Sequence, residues 1–402
     1  MSLAPKGWTV VAGGLLFAVV ESGCTFITAC PNGTGGNNNT AGAGGGNETD
    51  GGNAGSTGTA GGAPIPTGAW TNVTSNLAGL ASECGNMAGM SAKADEDLLI
   101  AGIAQLGLWS STDGGQTWTQ MGAGAGSDVI TNRLTSIVYD PMTSQHWYES
   151  GIYNNVGVYE TKDDGVTFKA LGTIMTNGTC DGVGVDFTDP DRKTLVAGGH
   201  EAAQTLRSTQ DGGATWASIG ASLPDATNCT LPLVIDAQTY LVGCGGYGGG
   251  PSGMYRTTDG GMTWNLATAT GGASAALQAS DGSIYSVSPN GVGITRSTDS
   301  GVTWTDVWKD VANTGFVAGP SLRELPDGRL VTIGKHYVMI SSDMGASWAP
   351  VSSALPYSDA LGVVYSAQQK AFFVWHQTCG FSGPVPVPTD AIMRYDFDYT
   401  TG

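Results

Sequence analysis

Ser111-Thr112-Asp113-Gly114-Gly115-Gln116-Thr117-Trp118 is the first of six related octapeptides in this chain. The others are Thr161–Phe168, Thr209–Trp216, Thr257–Trp264, Ser297–Trp304 and Ser341–Trp348. Each begins with a hydroxyl residue, places Asp two positions on and Gly two after that, then ends on a second hydroxyl residue and Trp or Phe. The aspartates Asp113, Asp163, Asp211, Asp259, Asp299 and Asp343 are separated by 50, 48, 48, 40 and 44 residues. A period of about 40–50 residues holding several short strands is the signature of a β-propeller. Within each copy the hydroxyl and carboxylate can satisfy nearby backbone N–H groups, and the glycine permits a backbone few other residues adopt. Each octapeptide therefore reads as a hairpin turn whose terminal aromatic enters the blade interior.

The blade count follows from what lies outside these turns. Each turn leads into a fourth strand, as in Trp118-Thr119-Gln120 and Trp216-Ala217-Ser218. Trp70-Thr71-Asn72-Val73 matches such a strand with no turn before it, whereas Gly362–Tyr365, Ala371–His376 and Ile392–Tyr395 supply three strands with no fourth. Together the two fragments make one blade. The expected fold is all-β, a single seven-bladed propeller over residues 67–402, closed by an N-terminal strand that completes the last blade.

The octapeptides resemble Asp-boxes, or BNR repeats, of sialidases, xyloglucan-hydrolysing enzymes, sortilin-type receptors and photosystem assembly factors. That resemblance implies that each box joins strands three and four of its blade, on the face opposite the usual binding site. The six aspartates then have a structural role.

Glycine supplies 64 of the 402 residues, and 16 basic residues stand against 34 acidic ones for a net charge of −18. A chain this acidic lacks the basic face that nucleic acid demands. The glycines show no three-residue period, which excludes collagen, and 40% hydrophobic content with 11 Trp excludes global disorder. Residues 1–24 read as an export signal: Lys6, the apolar run Trp8–Val20, then Glu21-Ser22-Gly23-Cys24. The last four residues resemble a lipobox, with Cys24 as the lipidated residue. Residues 25–66, rich in Gly, Asn and Thr, read as a flexible linker with a reach of roughly 35 Å. The expected location is an outer-membrane or cell-surface lipoprotein, or secretion. Cys229 and Cys244 are equidistant from a reversal near Asp236-Ala237 and are expected to form a disulfide across a hairpin. Cys84 and Cys379 are a candidate pair between the first and last folded units; Cys30 and Cys180 have no evident partner.

Ends of second strands and starts of first strands should meet on the face opposite the boxes, at the channel mouth. The ligand-binding candidates there are Arg133, Tyr153, His200, Tyr247, Lys335, His336, Trp375 and His376. If the protein is an enzyme, Glu149, Asp181 and Glu201 are the catalytic candidates, since glycoside hydrolysis needs two carboxylates about 5–10 Å apart. A sialidase would need three converging arginines. Arg207, Arg256, Arg296 and Arg394 sit at the wrong strand ends, as do Arg192 and Arg329, leaving Arg133 and Arg323, so the triad is not assembled. The histidines show no metal-ligand spacing, so neither a metal nor another cofactor is expected. The first expectation is a monomeric, lipid-anchored binding protein for an extracellular glycan, polymer or protein, with no nucleic-acid partner. The alternatives are a glycoside hydrolase of sialidase- or xyloglucanase-like type and an assembly scaffold.

Overall fold

The computed structural model describes residues 65–153, 157–172, 174, 180–200, 203–224, 229–245, 252–272, 275–288, 293–309, 322–334, 336–378 and 384–401. The signal and linker segments, with Cys24 and Cys30, lie outside these residues. Among the described residues no helix is long and apolar enough to cross a membrane.

Seven four-stranded antiparallel sheets form the blades. Blade one comprises Met87–Ala92, Leu99–Ile103, Gly107–Ser111 and Thr119–Gln120, and blade two Arg133–Tyr139, Trp147–Ile152, Val158–Thr161 and Lys169–Ala170. Blades three, four, five and six begin at Cys180–Val185, Cys229–Val234, Leu277–Gln278 and Arg323–Glu324. Gly362–Ser366, Ala371–Trp375 and Ile392–Asp396 make up blade seven together with Thr71–Asn72, which pairs antiparallel with Thr71 opposite Arg394. First strands of successive blades touch: blade seven's meets blade one's, then blades two, three and four follow in order. They therefore ring the central axis, with later strands progressively outward.

Second strands are the driest elements. Every residue of Leu99–Ile103, Leu195–Gly199, Tyr240–Cys244 and Ala371–Trp375 is buried. Neighbouring blades cover both faces of these strands, so their sequences are continuous apolar runs rather than alternating ones. Small residues allow the close approach. A Cβ on Gly198 would lie 2.2 Å from the Thr230 carbonyl oxygen of the next blade. Between blades one and two, Ile100 and Leu108 pack with Leu134, Trp147, Tyr159 and Phe168.

The six octapeptides make one repeated set of bonds. In blade three the Thr209 hydroxyl donates to Asp211 Oδ1 at 2.7 Å and accepts from Gly213 N–H at 3.0 Å. Asp211 in turn accepts from Thr215 N–H at 2.9 Å and from the Thr215 hydroxyl at 2.6 Å. The glycine needs φ of +89° there, and +89° again at Gly115. The aromatics go further than the blade interior. Trp118, Trp216 and Trp264 donate Nε1–H to the carbonyls of Val73, Leu171 and Ile219 in the preceding blade, at 3.1, 2.9 and 2.8 Å. Each turn thus fastens a hairpin and, in these three copies, a blade junction. In blade four, Cys229 faces Cys244 directly across the hairpin and the two are disulfide-bonded. Cys84 is also disulfide-bonded, its partner lying outside the described residues, and Cys180 is a buried free thiol.

Two of the residues expected at the mouth are in the core. Glu149 is mid-strand, because the second strand of blade two continues three residues further to Ile152. Its side chain is fully buried on the strand face shared with Trp147, at the junction with blade one. Asn132 Nδ2 donates to its Oε2 at 3.2 Å, while its Oε1 has no partner. Burial pushes the carboxyl up to about 8, so it is neutral at pH 7 and withdrawn from any substrate. Trp375 is 4% exposed and packs with Val364, Phe373 and Ile392, its ring filling the space above Gly362.

These carboxyls make opposite contributions to stability as pH changes. Hydrogen bonds from the second hydroxyl hold Asp113, Asp211, Asp259 and Asp299 at about 2, below their ordinary 3.8. Their stabilisation is complete above the unfolded value and is lost as pH falls through about 2. Glu149, raised from 4.5 to about 8, costs nothing below its unfolded value and destabilises progressively as pH rises towards 8. Glu149→Gln is expected to match wild type in thermal unfolding at pH 4 and to be more stable at pH 7, by roughly 2–3 kcal/mol. Asp211→Asn should unfold at lower temperature at pH 7 and show a shallower loss between pH 4 and pH 2. Equal pH profiles for variants and wild type would contradict both assignments.

Candidate functional site

The antiparallel order places starts of first strands and ends of second strands on one face, and the octapeptide turns on the other. Arg133 starts blade two's first strand opposite Ile152, and Cys180 starts blade three's opposite Gly199. Tyr153, Asp181 and His200 flank these pairs, and the fold brings all three together. His200 Nδ1 lies 2.7 Å from Asp181 Oδ1, and His200 Nε2 lies 2.9 Å from Tyr153 Oη. An ionised carboxylate only accepts, so Nδ1 carries the proton; in the neutral ring Nε2 then accepts from the tyrosine hydroxyl. The two rings meet edge to face at 5.0 Å and 87°.

Arg133 extends the cluster. Its guanidinium carbon is 4.7 Å from the Tyr153 ring centroid, a cation–π arrangement. Its Nε donates to Glu83 Oε1 at 3.0 Å, and Gln105 Nε2 donates to Glu83 Oε2 at 2.8 Å. A Cβ on Gly85 would lie 2.9 Å from Arg133 Nη1 and 3.3 Å from Gln377 Oε1, so Gly85 lets blade seven's end approach this arginine. The polar chain Asp181–His200–Tyr153–Arg133–Glu83–Gln105 therefore crosses blades three, two and one along the mouth. Tyr153 sits at φ +59° and Gln105 at +67°. A bulky residue in the left-handed region is strained by about 1–3 kcal/mol, and surrounding contacts must hold it there. Here the tyrosine side chain is held at two points, the ring by Arg133 and the hydroxyl by His200.

The other candidates separate. His376 stacks on Tyr357 at 4.2 Å between centroids, 3.3 Å from Asp390 and 3.6 Å from Asp359. His336 is exposed beside Tyr337 at 6.2 Å. Glu201, Tyr247, Lys335 and Cys379 lie outside the described residues. Three members of the mouth cluster carried no signal in the repeat: Glu83, Gly85 and Gln105 precede or interrupt blade one. A buried ionic network on the opposite face was also missed. Arg192 grips Asp140 at 2.7 and 2.8 Å, and His146 lies between Asp140 at 3.4 Å and Glu160 at 2.9 Å. It joins blades two and three and is far from the mouth.

Among the described residues no group of three or more His, Cys, Asp or Glu side chains is placed to hold a metal ion. A groove of about 510 Å³ runs between Trp216, Gln238, Asp259 and Met262. It is on the turn face, where Asp259 is already committed to Thr257 and Thr263. The mouth cluster is the place where polar groups from several blades converge, and its phenol, imidazole and carboxylate can bind hydroxyls or amides and pass a proton along one line.

No protein-family model matches the chain. The Photosystem II assembly lipoprotein Ycf48 of Synechococcus sp. (strain CC9902) is 29% identical over 182 residues, 41% of this chain and 46% of that protein. The chain thus spans about half the length of this curated relative. An extracellular domain from B. thetaiotaomicron, assigned to a hybrid two component system, superposes with a TM-score of 0.53 at 11% identity, covering 82% of this chain and 39% of that one. The GH74 xyloglucanase from Xanthomonas campestris gives 0.49 at 16% identity, over 80% and 43%. At such identities structural likeness shows the fold and no activity. The chain is a seven-bladed β-propeller with similarity to Ycf48 and to GH74 propellers.

Proposed function

We propose that the chain is an exported, lipid-anchored recognition protein that binds an extracellular glycan, polymer or protein at the mouth opposite the octapeptide turns. The observation that carries this reading is the Asp181–His200–Tyr153 line, backed by Arg133 and Glu83. Blades two and three supply its three members, and a strained tyrosine backbone is held in place to complete it. Strain retained at a surface polar cluster favours a site over a solvated loop. Propellers host many functions, so the cluster rather than the fold supports the reading.

Hydrolysis is the weaker alternative. With Glu149 neutral and enclosed, Asp181 is the described survivor of the three carboxylates considered, and it is occupied orienting His200. The assembly-scaffold reading draws support from the likeness to an assembly lipoprotein, and it uses the same mouth with a protein as ligand. Cys24 supplies the anchor and residues 25–66 the tether.

A glycan array, a panel of chromogenic glycosides and co-purification from the cell surface, all with the full chain, separate these readings. A bound glycan or stoichiometric protein without turnover is expected, with affinity falling at least tenfold in Tyr153→Phe and His200→Ala. Turnover abolished by Asp181→Asn would instead establish the hydrolase. Undiminished binding by both mouth variants would move the site elsewhere. Cys24→Ser should shift the protein from the membrane to the soluble fraction; retention with membranes would contradict the lipid anchor.

A further inference from the structure

The groove between blades three and four has no part in the mouth. Its volume of about 510 Å³ falls within the roughly 300–1,000 Å³ of ligand sites. One wall comes from blade three, with Gln210 and Trp216, and the other from blade four, with Gln238, Asp259 and Met262. An octapeptide turn sets each wall. Gln210 lies inside the third octapeptide, between Thr209 and Asp211. The main chain of Gln238 is held at both ends: its N–H donates to Asp236 Oδ1 at 2.9 Å, and its carbonyl accepts from Gly260 N–H at 3.0 Å. Its side chain lies over the fourth octapeptide, since a Cβ on Gly260 would meet Gln238 Oε1 at 3.2 Å.

The lining divides into apolar and hydrogen-bonding surface. Trp216 is half-buried, and its Nε1–H is committed to Leu171 O at 2.9 Å and Gly213 O at 3.2 Å. Its ring therefore offers the groove apolar surface, and those bonds fix its orientation. Met262, 75% exposed, adds apolar surface from the other wall. Gln210 and Gln238 are exposed, and among the described residues neither side-chain amide has a hydrogen-bond partner. Each such amide both donates and accepts. Asp259 Oδ2 accepts one bond, from the Thr263 hydroxyl at 2.6 Å, which leaves it further acceptor capacity. No lysine or arginine lines the groove.

We propose that this groove binds a neutral saccharide, at a site separate from the mouth. A sugar ring presents both kinds of surface at once: C–H faces that pack on an aromatic ring, and hydroxyls that donate and accept. Trp216 and Met262 take the first, and the two amides with Asp259 take the second. Acidic sugars are disfavoured, because the Asp259 carboxylate repels them and no basic side chain in the lining offsets it. A peptide fits less well. The strand beside the groove, Ala217–Ser218, is two residues long, too short an edge to template an added strand. The proposal does not depend on what the mouth binds.

The test is calorimetric titration of the full chain with neutral tetrasaccharides of glucose, xylose, mannose and N-acetylglucosamine as separate probes. Saturable binding of at least one is expected. The double variant Gln210→Ala with Gln238→Ala should weaken it at least tenfold, and Trp216→Phe several-fold. Both glutamines are exposed, so the double variant should unfold at the wild-type temperature, which separates lost binding from lost folding. Tyr153→Phe at the mouth should leave groove binding unchanged. No saturable binding by any probe, equal binding in the double variant, or loss in Tyr153→Phe alone would overturn the proposal. Capture of a protein in place of a saccharide, lost in the double variant, would overturn it too and assign the groove to a peptide.

Discussion

The structure depends on one small hydrogen-bonded device, a carboxylate shared between two hydroxyls and a backbone amide at the outer hairpin of a blade. The aspartate fixes the second hydroxyl residue, the first hydroxyl fixes a glycine that alone tolerates the required backbone, and the aromatic that follows is thereby aimed. In three copies that aromatic reaches a carbonyl of the preceding blade. A local turn thus sets the junction between blades, and repetition of the turn sets the ring. Because its bonds are all within eight residues, the device is fully written in the sequence, which is why the period and the blade count could be read without coordinates. Glycine abundance follows from the same geometry: positions such as Gly115 and Gly213 need positive φ, and others such as Gly198 need the absence of a side chain between blades.

The site was legible only in part, and the errors have a common cause. Face assignment relied on strand ends, and a second strand buried on both sides shows no alternation to mark where it stops. Glu149 was placed at an end but lies three residues inside one. Trp375 does end its strand, yet its ring turns inward over Gly362. Arg133, Tyr153, Asp181 and His200 were picked out singly, but nothing in the spacing showed that they would touch. Glu83, Gly85 and Gln105 were invisible because their role comes from contacts between distant positions: Glu83 and Gly85 meet Arg133 about 50 positions on, and Gln105 joins only through Glu83. Interactions across blades are set by the ring, not by the repeat.

Two environments of opposite character follow from this architecture. At the mouth, a carboxylate, an imidazole, a phenol and a paired arginine neutralise and orient one another, leaving a preset polar line at modest exposure. On the turn face, by contrast, Asp140 and Arg192 form a closed pair. Charge is therefore paired where it braces blades and relayed along a line at the mouth.

The most direct test is of the mouth itself, before any ligand is present. The chain has four histidines, so ring-nitrogen NMR of histidine-labelled full chain can resolve the His200 tautomer at neutral pH. The structure predicts a proton on Nδ1, held by Asp181, and an accepting Nε2 whose resonance shifts in Tyr153→Phe. A proton on Nε2, or a His200 signal indifferent to both Asp181→Asn and Tyr153→Phe, would contradict it.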